Sequence, residues 1–375
     1  MAARRGPSEL NLLLAVGKPC GITSHDVVAR VRRVLGERRV GHAGTLDPMA
    51  SGLMVVGVGQ ATRLLGLLAL DTKSYVADIS FGSETNTDDA EGEVVRSSAC
   101  PPELASEEFA RTALARLVGP AMQVPPAFSA ISVGGVRSYK RARAGEDVEL
   151  PARPIRIEAA ELLAVSTGDD DTEDGAAGTP VIWTVSFTVS KGTYIRAIAR
   201  DLGRMLGCAA HLSALCRTAS GAITLACCQR IDELDAARAR EAAIDPVVAL
   251  GLPALEVGRD ALADIACGRA VRVPRSSAAS ELVAALSAAG SVIGSAAGTA
   301  SERDAAGRDL HAPETQSGGP SSPGLDAHTG LTGAIALVSD GALAAIARPS
   351  GDRLVMEHMF PQPVIGVRSR PRARV

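Results

Sequence analysis

The chain has 375 residues, 46% hydrophobic and 22% charged, with a formal net charge of −3. That is enough for two domains with proper cores and excludes both a mini-protein and a wholly disordered chain. The longest apolar runs, 12–16 and 64–70, fall far short of the roughly 20 residues of a membrane helix, so no transmembrane protein is expected.

Residues 10–17 read as a strand, because the apolar run ends in Lys18-Pro19 rather than at the small-residue cleavage site of a secretory signal. Thr23-Ser-His-Asp26 reads as a capping box opening a helix with the apolar face Val27, Val28, Val31, Val34 and Leu35. A glycine-rich stretch, 41–59, leads into a strand-like run at 53–58. Alternation at Tyr75, Ala77, Ile79 and Phe81, and again at Val181, Trp183, Val185, Phe187 and Val189, predicts two half-buried strands. Helical periodicity returns over 106–118, closed by Gly119, and over 194–206, closed by Gly207. Strands and helices interleave without the rhythm of repeated βαβ units. The expectation is an α+β fold, a mixed and largely antiparallel sheet flanked by helices, over 10–250.

Asp245-Pro246 and Gly251-Leu-Pro253 mark a boundary, and 251–365 reads as a small second domain of short strands and one short helix. It is interrupted at 276–330, a stretch rich in Ala, Ser, Gly, Thr and Pro without one aromatic residue, expected to be a disordered insertion. A smaller acidic insertion, 168–179, extends a hairpin. Residues 1–9 read as a flexible N-terminus and 366–375, with four arginines, as a flexible basic arm.

The near-neutral total hides a segregation of sign. Residues 1–65 hold nine Lys/Arg against four Asp/Glu, and 190–230 hold six against one, whereas 84–108 carry eight acids against Arg96 alone. Basic segments in an otherwise acidic chain suggest a polyanion binder, with solvated helix faces as the plain alternative. Seven cysteines without a C-x-x-C pair argue against a disulfide framework and a structural zinc site, and fit a reducing cytoplasm.

The densest segment is Gly41-His-Ala-Gly-Thr-Leu-Asp-Pro-Met-Ala-Ser-Gly52. Its glycines and proline specify a tight loop, and Asp47-Pro48 sets a carboxylate on a turn because a residue before proline avoids the helical region. Taken alone, Asp47 reads more readily as an Asx-turn residue, and His42 could equally be a buried, satisfied histidine. Gly57-Val-Gly59 lacks both the dinucleotide fingerprint and the P-loop pattern.

Four segments occur in order: 18–26 (Lys18-Pro-Cys-Gly-Ile-Thr-Ser-His-Asp26), 39–53 (Arg39 through Leu53), Lys73-Ser-Tyr75, and Ser190-Lys-Gly-Thr-Tyr-Ile-Arg196. With Gln123-Val-Pro-Pro126, Ala210-His-Leu212 and Ser220-Gly221, they resemble the successive motifs of bacterial tRNA pseudouridine-55 synthases, the TruB family, over about 10–230. The resemblance implies the pseudouridine synthase fold and isomerisation of one uridine in the TΨC arm of tRNA. The base is detached from N1, turned and rejoined through C5, so no cofactor is required.

It also implies roles. Asp47 matches the catalytic aspartate, acting at ribose C1′ or on the C2′ proton, and Arg196 the arginine that keeps it charged. Tyr75 matches the residue stacked on the flipped base, its phenol also available for proton transfer, and Tyr194 and Leu215 match further pocket walls. His42 matches the histidine that enters the space the base leaves. Lys18, Arg63, Lys191 and Arg217 are candidate phosphate contacts by charge and motif position. Arg196, Arg200 and Arg204 share a helix face, whose far end is expected to meet solvent or phosphate.

Cys216-Arg217 stands where the family commonly shows two arginines, a departure that touches one RNA contact and not the chemistry. Residues 263–271 and 341–347 resemble the PUA-type RNA-binding barrel. The partner implied is the T arm of tRNA, bound by a monomer without an obligate protein partner. A tRNA-folding chaperone is the alternative from the binding class. A guide-RNA-dependent subunit is disfavoured because the motif wording is bacterial throughout.

Overall fold

The computed structural model describes residues 9–129, 131–133, 136–144, 146, 150–167, 181–273, 281–282, 331 and 333–374. The insertions read at 168–179 and 276–330 lie outside the described residues, apart from 281 and 282. The chain divides into two compact units, Leu13–Ile244, and Asp245–Val375 together with the residues up to Leu12.

The larger unit is built on a ten-stranded mixed sheet. It begins with β1 (Leu12–Lys18), α1 (Ser24–Leu35), β2 (Val40–Ala43), β3 (Ser51–Val58) and β4 (Lys73–Phe81). After α2 (Glu107–Ala115) and β5 (Gly119–Gln123) come the long β6 (Arg153–Thr167) and β7 (Val181–Val189), then α3 (Ile195–Met205), β8 (Ala210–Ser220) and β9 (Gln229–Arg230). The strand order is β9-β1-β3-β8-β4-β7-β6-β5, with β2 added beside β3 and the two-residue strand Ile223–Thr224 beside β8. From β8 through β5 every pairing is antiparallel, while β8 meets β3, and β1 meets β9, in parallel.

The expected local signals operate as physics requires. Thr23 and Asp26 form the capping box of α1, which stops at Gly36 in the left-handed region. Val34, read as part of its apolar face, is exposed, because the buried stripe consists of Val27, Val28 and Val31. Strand β7 alternates buried and half-buried residues along its whole length. Its Trp183 packs edge-on against Phe81 with ring centroids 4.8 Å apart and donates its indole N–H to Leu104 O at 2.8 Å. The helix read at 106–118 ends at Ala115, and Gly119 opens β5 instead of closing the helix.

Two glycines allow the close approaches that bring the centre of the sheet together. A Cβ on Gly203 of α3 would lie 2.6 Å from Ala210 Cβ, so this glycine lets the helix sit on the start of β8. Gly52, at φ +104°, lies opposite Arg217, and a Cβ there would fall 2.4 Å from the Arg217 carbonyl oxygen.

The smaller unit has β10 (Ala254–Glu256), α4 (Arg259–Ala266), β11 (Val271–Arg272), β12 (Ile335–Ser339), β13 (Ala342–Ser350), β14 (Arg353–Ile365) and β15 (Ala373–Arg374). They form a six-stranded sheet in the order β11-β14-β13-β12-β10-β15 around Leu255, Ile265, Ile335, Leu337 and Leu354. Among the described residues its two edge strands do not pair, so the expected barrel is a half-barrel. The tail read as a flexible arm is docked instead. Arg374 pairs with Glu256 in β15, Arg372 N–H reaches Ala254 O, and the Arg368 and Ser369 N–H groups each donate to Asp245 Oδ2 at 2.7 Å. Among the described residues no helix is long and apolar enough to cross a membrane.

Candidate active site

The segment joining β2 to β3 carries Asp47 and is clamped from beneath. Lys18, at the end of β1, is buried and donates to Pro19 O, Pro48 O and Ala50 O at 2.9, 3.1 and 2.6 Å. Ser24, in the first turn of α1, exchanges two hydrogen bonds with Leu46, its hydroxyl donating to Leu46 O at 3.0 Å and accepting from Leu46 N–H at 2.8 Å. The Ala50 N–H closes a turn on Asp47 O at 3.1 Å. These bonds use backbone groups of the loop and leave the Asp47 carboxylate directed into a cavity of about 900 Å³.

Arg196, from the first turn of α3, meets it there. Its Nε lies 2.9 Å from Asp47 Oδ2 and 3.5 Å from Asp89 Oδ2, while its two terminal nitrogens donate to Thr87 O and Phe128 O at 2.8 and 3.1 Å. The arginine side chain is 5% exposed and that of Asp47 35%, so the pair is anchored on the arginine side and open on the carboxylate side. Asp89 is held in turn by the Thr87 hydroxyl at 2.6 Å and the Glu91 N–H at 3.1 Å. Asp89 was not legible as a site residue, because its neighbours read simply as an acidic run.

That acidic run is the counterpart of α3. Arg196 meets Asp89, Arg200 meets Asp88 at 2.8 Å, and Arg204 meets Glu84, which also binds Arg96 at 3.1 Å. The far end of the arginine face therefore binds carboxylates rather than phosphate. Arg200 also donates to Val124 O at 2.8 Å, joining the acidic segment to the residues after β5. Burial outweighs the arginine at Asp88 and pushes its carboxyl up to about 6.

The cavity walls are aromatic and aliphatic. Tyr75 on β4 and Leu215 on β8 are buried, with Tyr194 immediately before α3 and His42 on β2 half-buried, and all four line the cavity. Burial raises the Tyr75 phenol above its ordinary pKa, against the opposing charge of Arg217, and keeps it protonated. Burial also lowers the His42 imidazole, favouring its neutral form. The Gln123 side-chain amide fixes the Tyr194 backbone at both ends, accepting from its N–H at 2.9 Å and donating to its O at 3.1 Å. Phe128 and Tyr139 line the cavity too, so all three tyrosines of an aromatic-poor chain converge on it. The scarcity of tyrosine was the signal that could have identified Tyr139.

Two of the candidate phosphate contacts, Lys18 and Arg217, are buried. Lys18 spends its ammonium on the carbonyl of Pro19 and on two carbonyls of the Asp47 loop, Pro48 O and Ala50 O, and burial lowers its pKa. Arg217 is 1% exposed and donates to Leu53 O at 2.7 Å and Gly44 O at 3.2 Å, bracing the Asp47 loop against β8. Burial takes both side chains away from the surface that an RNA backbone would follow. Arg63 and Lys191 are exposed and lie outside the cavity lining. Among the described residues no group of three or more His, Cys, Asp and Glu side chains could hold a metal ion.

Residues 32–195 match the model of the TruB family pseudouridylate synthase N-terminal domain, and 196–250 that of the tRNA pseudouridylate synthase B C-terminal domain. The chain is 50% identical over 223 residues to tRNA pseudouridine synthase B of Streptomyces avermitilis, covering 59% of this chain and 72% of that protein. It is 51% identical over 224 residues to the protein of the same name from Thermobifida fusca, covering 60% and 74%. Among solved structures, the archaeal box H/ACA sRNP Nop10–Cbf5 complex contains a chain that aligns with a TM-score of 0.54 at 20% identity, covering 96% of this chain and 86% of that one, a likeness of fold. On the family models and these identities, the chain belongs to the TruB family of pseudouridylate synthases.

Proposed function

We propose that this protein is a tRNA pseudouridine synthase that acts on uridine 55 in the T arm. The observation that carries the reading is the Asp47 carboxylate, partly open to the cavity while Arg196 holds Oδ2 at 2.9 Å. A uridine stacked inside a folded RNA loop cannot reach such a carboxylate, so the base must first be flipped out. Tyr75 and Leu215 form the apolar wall against which it rests, Tyr194 bounds the same space, and the neutral His42 imidazole occupies the gap left in the loop.

The ionised Asp47 then adds to C1′ or removes the C2′ proton, and either step releases the uracil by breaking the C1′–N1 bond. The base rotates and C5 bonds to C1′ as the Asp47–C1′ bond breaks or, on the other route, as Asp47 returns the proton to C2′; the C5 proton then leaves to solvent and N1 takes one up, so Asp47 ends as it began. Substrate and product have the same composition, so the reaction balances without an oxidant, reductant or group donor. Burial holds the Tyr75 phenol above its ordinary pKa, which favours the role of a wall over that of a base.

Asp47→Asn tests the reading, since it preserves size and turn geometry while removing the anion. Tritium release from C5-labelled uridine in tRNA should fall to background, with tRNA retention on filters within about threefold of the parent. Turnover near that of the parent would remove Asp47 from the chemistry. Lost binding would return it to a loop-forming role.

A further inference from the structure

Pairing consumes most of the basic segment 190–230. Arg196, Arg200, Arg204 and Arg230 face carboxylates and Arg217 is buried, so among the described residues Lys191 is the cation of this segment that is exposed and in no ion pair. A separate cationic surface lies at the C-terminal end of α1, where Arg32, Arg33 and Arg38 surround a depression with Ala29, Gly36 and Glu37. All three arginines are exposed, and among the described residues none is in an ion pair. Arg32 Nη2 donates to Val40 O at 2.9 Å, which fixes its guanidinium there. Glu37, the one acid of the depression, accepts the Arg39 backbone N–H at 2.8 Å. Three full positive charges far exceed the roughly half negative charge of a helix C-terminus.

The cluster is aligned with the site. His25 lines the catalytic cavity, while Ala29, Arg32, Arg33 and Gly36 line the depression. Spacings of four, seven and eight residues from His25 put Ala29, Arg32 and Arg33 on one face of α1, with Gly36 just past its end. The distance along the axis from residue 25 to residue 33 is about 12 Å. An RNA with one base in the cavity can thus lay its backbone along this stripe.

We infer that Arg32, Arg33 and Arg38 form a second RNA-docking surface, which binds backbone phosphates of the same RNA whose uridine enters the cavity. The inference rests on the RNA substrate proposed above. Phosphate contacts of this kind position an RNA without reading its sequence.

The test is the double variant Arg33→Gln/Arg38→Gln, which keeps Arg32 and its bond to Val40, assayed with intact tRNA by filter retention between 50 and 200 mM salt. The Kd should rise about tenfold at 100 mM. The slope of log K against log salt should become shallower by about one for each phosphate that is no longer neutralised. The single-turnover rate at saturating tRNA should stay unchanged. Arg116→Gln/Arg240→Gln, which removes two exposed charges elsewhere on the same unit, is the control. An unchanged Kd and slope in the first variant overturns the inference, as does an equal loss in the control. A parent that isomerises tRNA beside an indistinguishable variant sinks this surface alone, whereas a parent that binds no tRNA sinks the functional reading with it.

Discussion

Arg196 Nε lies 2.9 Å from Asp47 Oδ2, and the remaining nitrogens of the same guanidinium are bonded to the carbonyls of Thr87 and Phe128. One planar group thus ties the reactive loop to two other segments of the cavity wall. A lysine ammonium is a point charge on a flexible stem and cannot reproduce that fork.

Arg196→Lys should therefore behave almost as severely as Arg196→Ala. Single-turnover pseudouridine formation should drop at least about 100-fold, the scale on which removal of a positioning or electrostatic group acts. The urea midpoint should fall as well, because Thr87 O and Phe128 O lose their donors. A Lys variant within a few-fold of the parent would mean that charge alone suffices.

The aromatic wall makes a separable contribution. Tyr75→Ala should lose base stacking worth about 1–3 kcal/mol, or roughly 5- to 150-fold in kcat/KM at 1.36 kcal/mol per tenfold. Tyr75→Phe keeps the ring and should stay within about tenfold of the parent. Equal losses in the two variants would assign the function to the hydroxyl instead.

Glu84 holds two arginines, Arg96 and Arg204, and its own side chain is 6% exposed. The burial that opposes its ionisation is outweighed by those partners, which keep its carboxyl below the ordinary range. Glu84→Ala leaves two half-exposed cations that water can still solvate, so the expected cost is about 1–3 kcal/mol rather than that of a fully buried broken pair. Urea unfolding at pH 7 measures it, and no loss would make the network ornamental to stability.

Lys73 lines the cavity and donates to Ala69 O at 2.8 Å and Asp71 O at 2.6 Å. Burial lowers its pKa from 10.5 to about 8, against the pull of Asp71. Between those two values the unfolded chain carries a proton that the native protein has released. Unfolding then takes up a proton, and native stability contributed by this group rises with pH. From pH 8 to 10.5 the parent should gain on the order of 1–2 kcal/mol relative to Lys73→Met, after allowance for partial solvation. Parallel pH dependences in the two proteins would show an unshifted amine.

The glycine-bounded loop around Asp47, the capping box of α1, the alternation of β7 and the family motifs were all legible along the chain, because each is a local pattern. Turn chemistry, helix periodicity and strand alternation act over a few residues, and a motif is read in order. What the tertiary structure decided was pairing across long separations. The basic helix face and the acidic run looked like independent surface features until α3 laid Arg196, Arg200 and Arg204 against Asp89, Asp88 and Glu84. Lys18 and Arg217 carry the same formal charge as any phosphate-binding residue. Burial beneath the Asp47 loop, with carbonyls at hydrogen-bond distance, turned them into supports for that loop. Charge is written in the residue, but desolvation and partner geometry belong to the fold, and these determine whether a cation meets a substrate or holds a backbone.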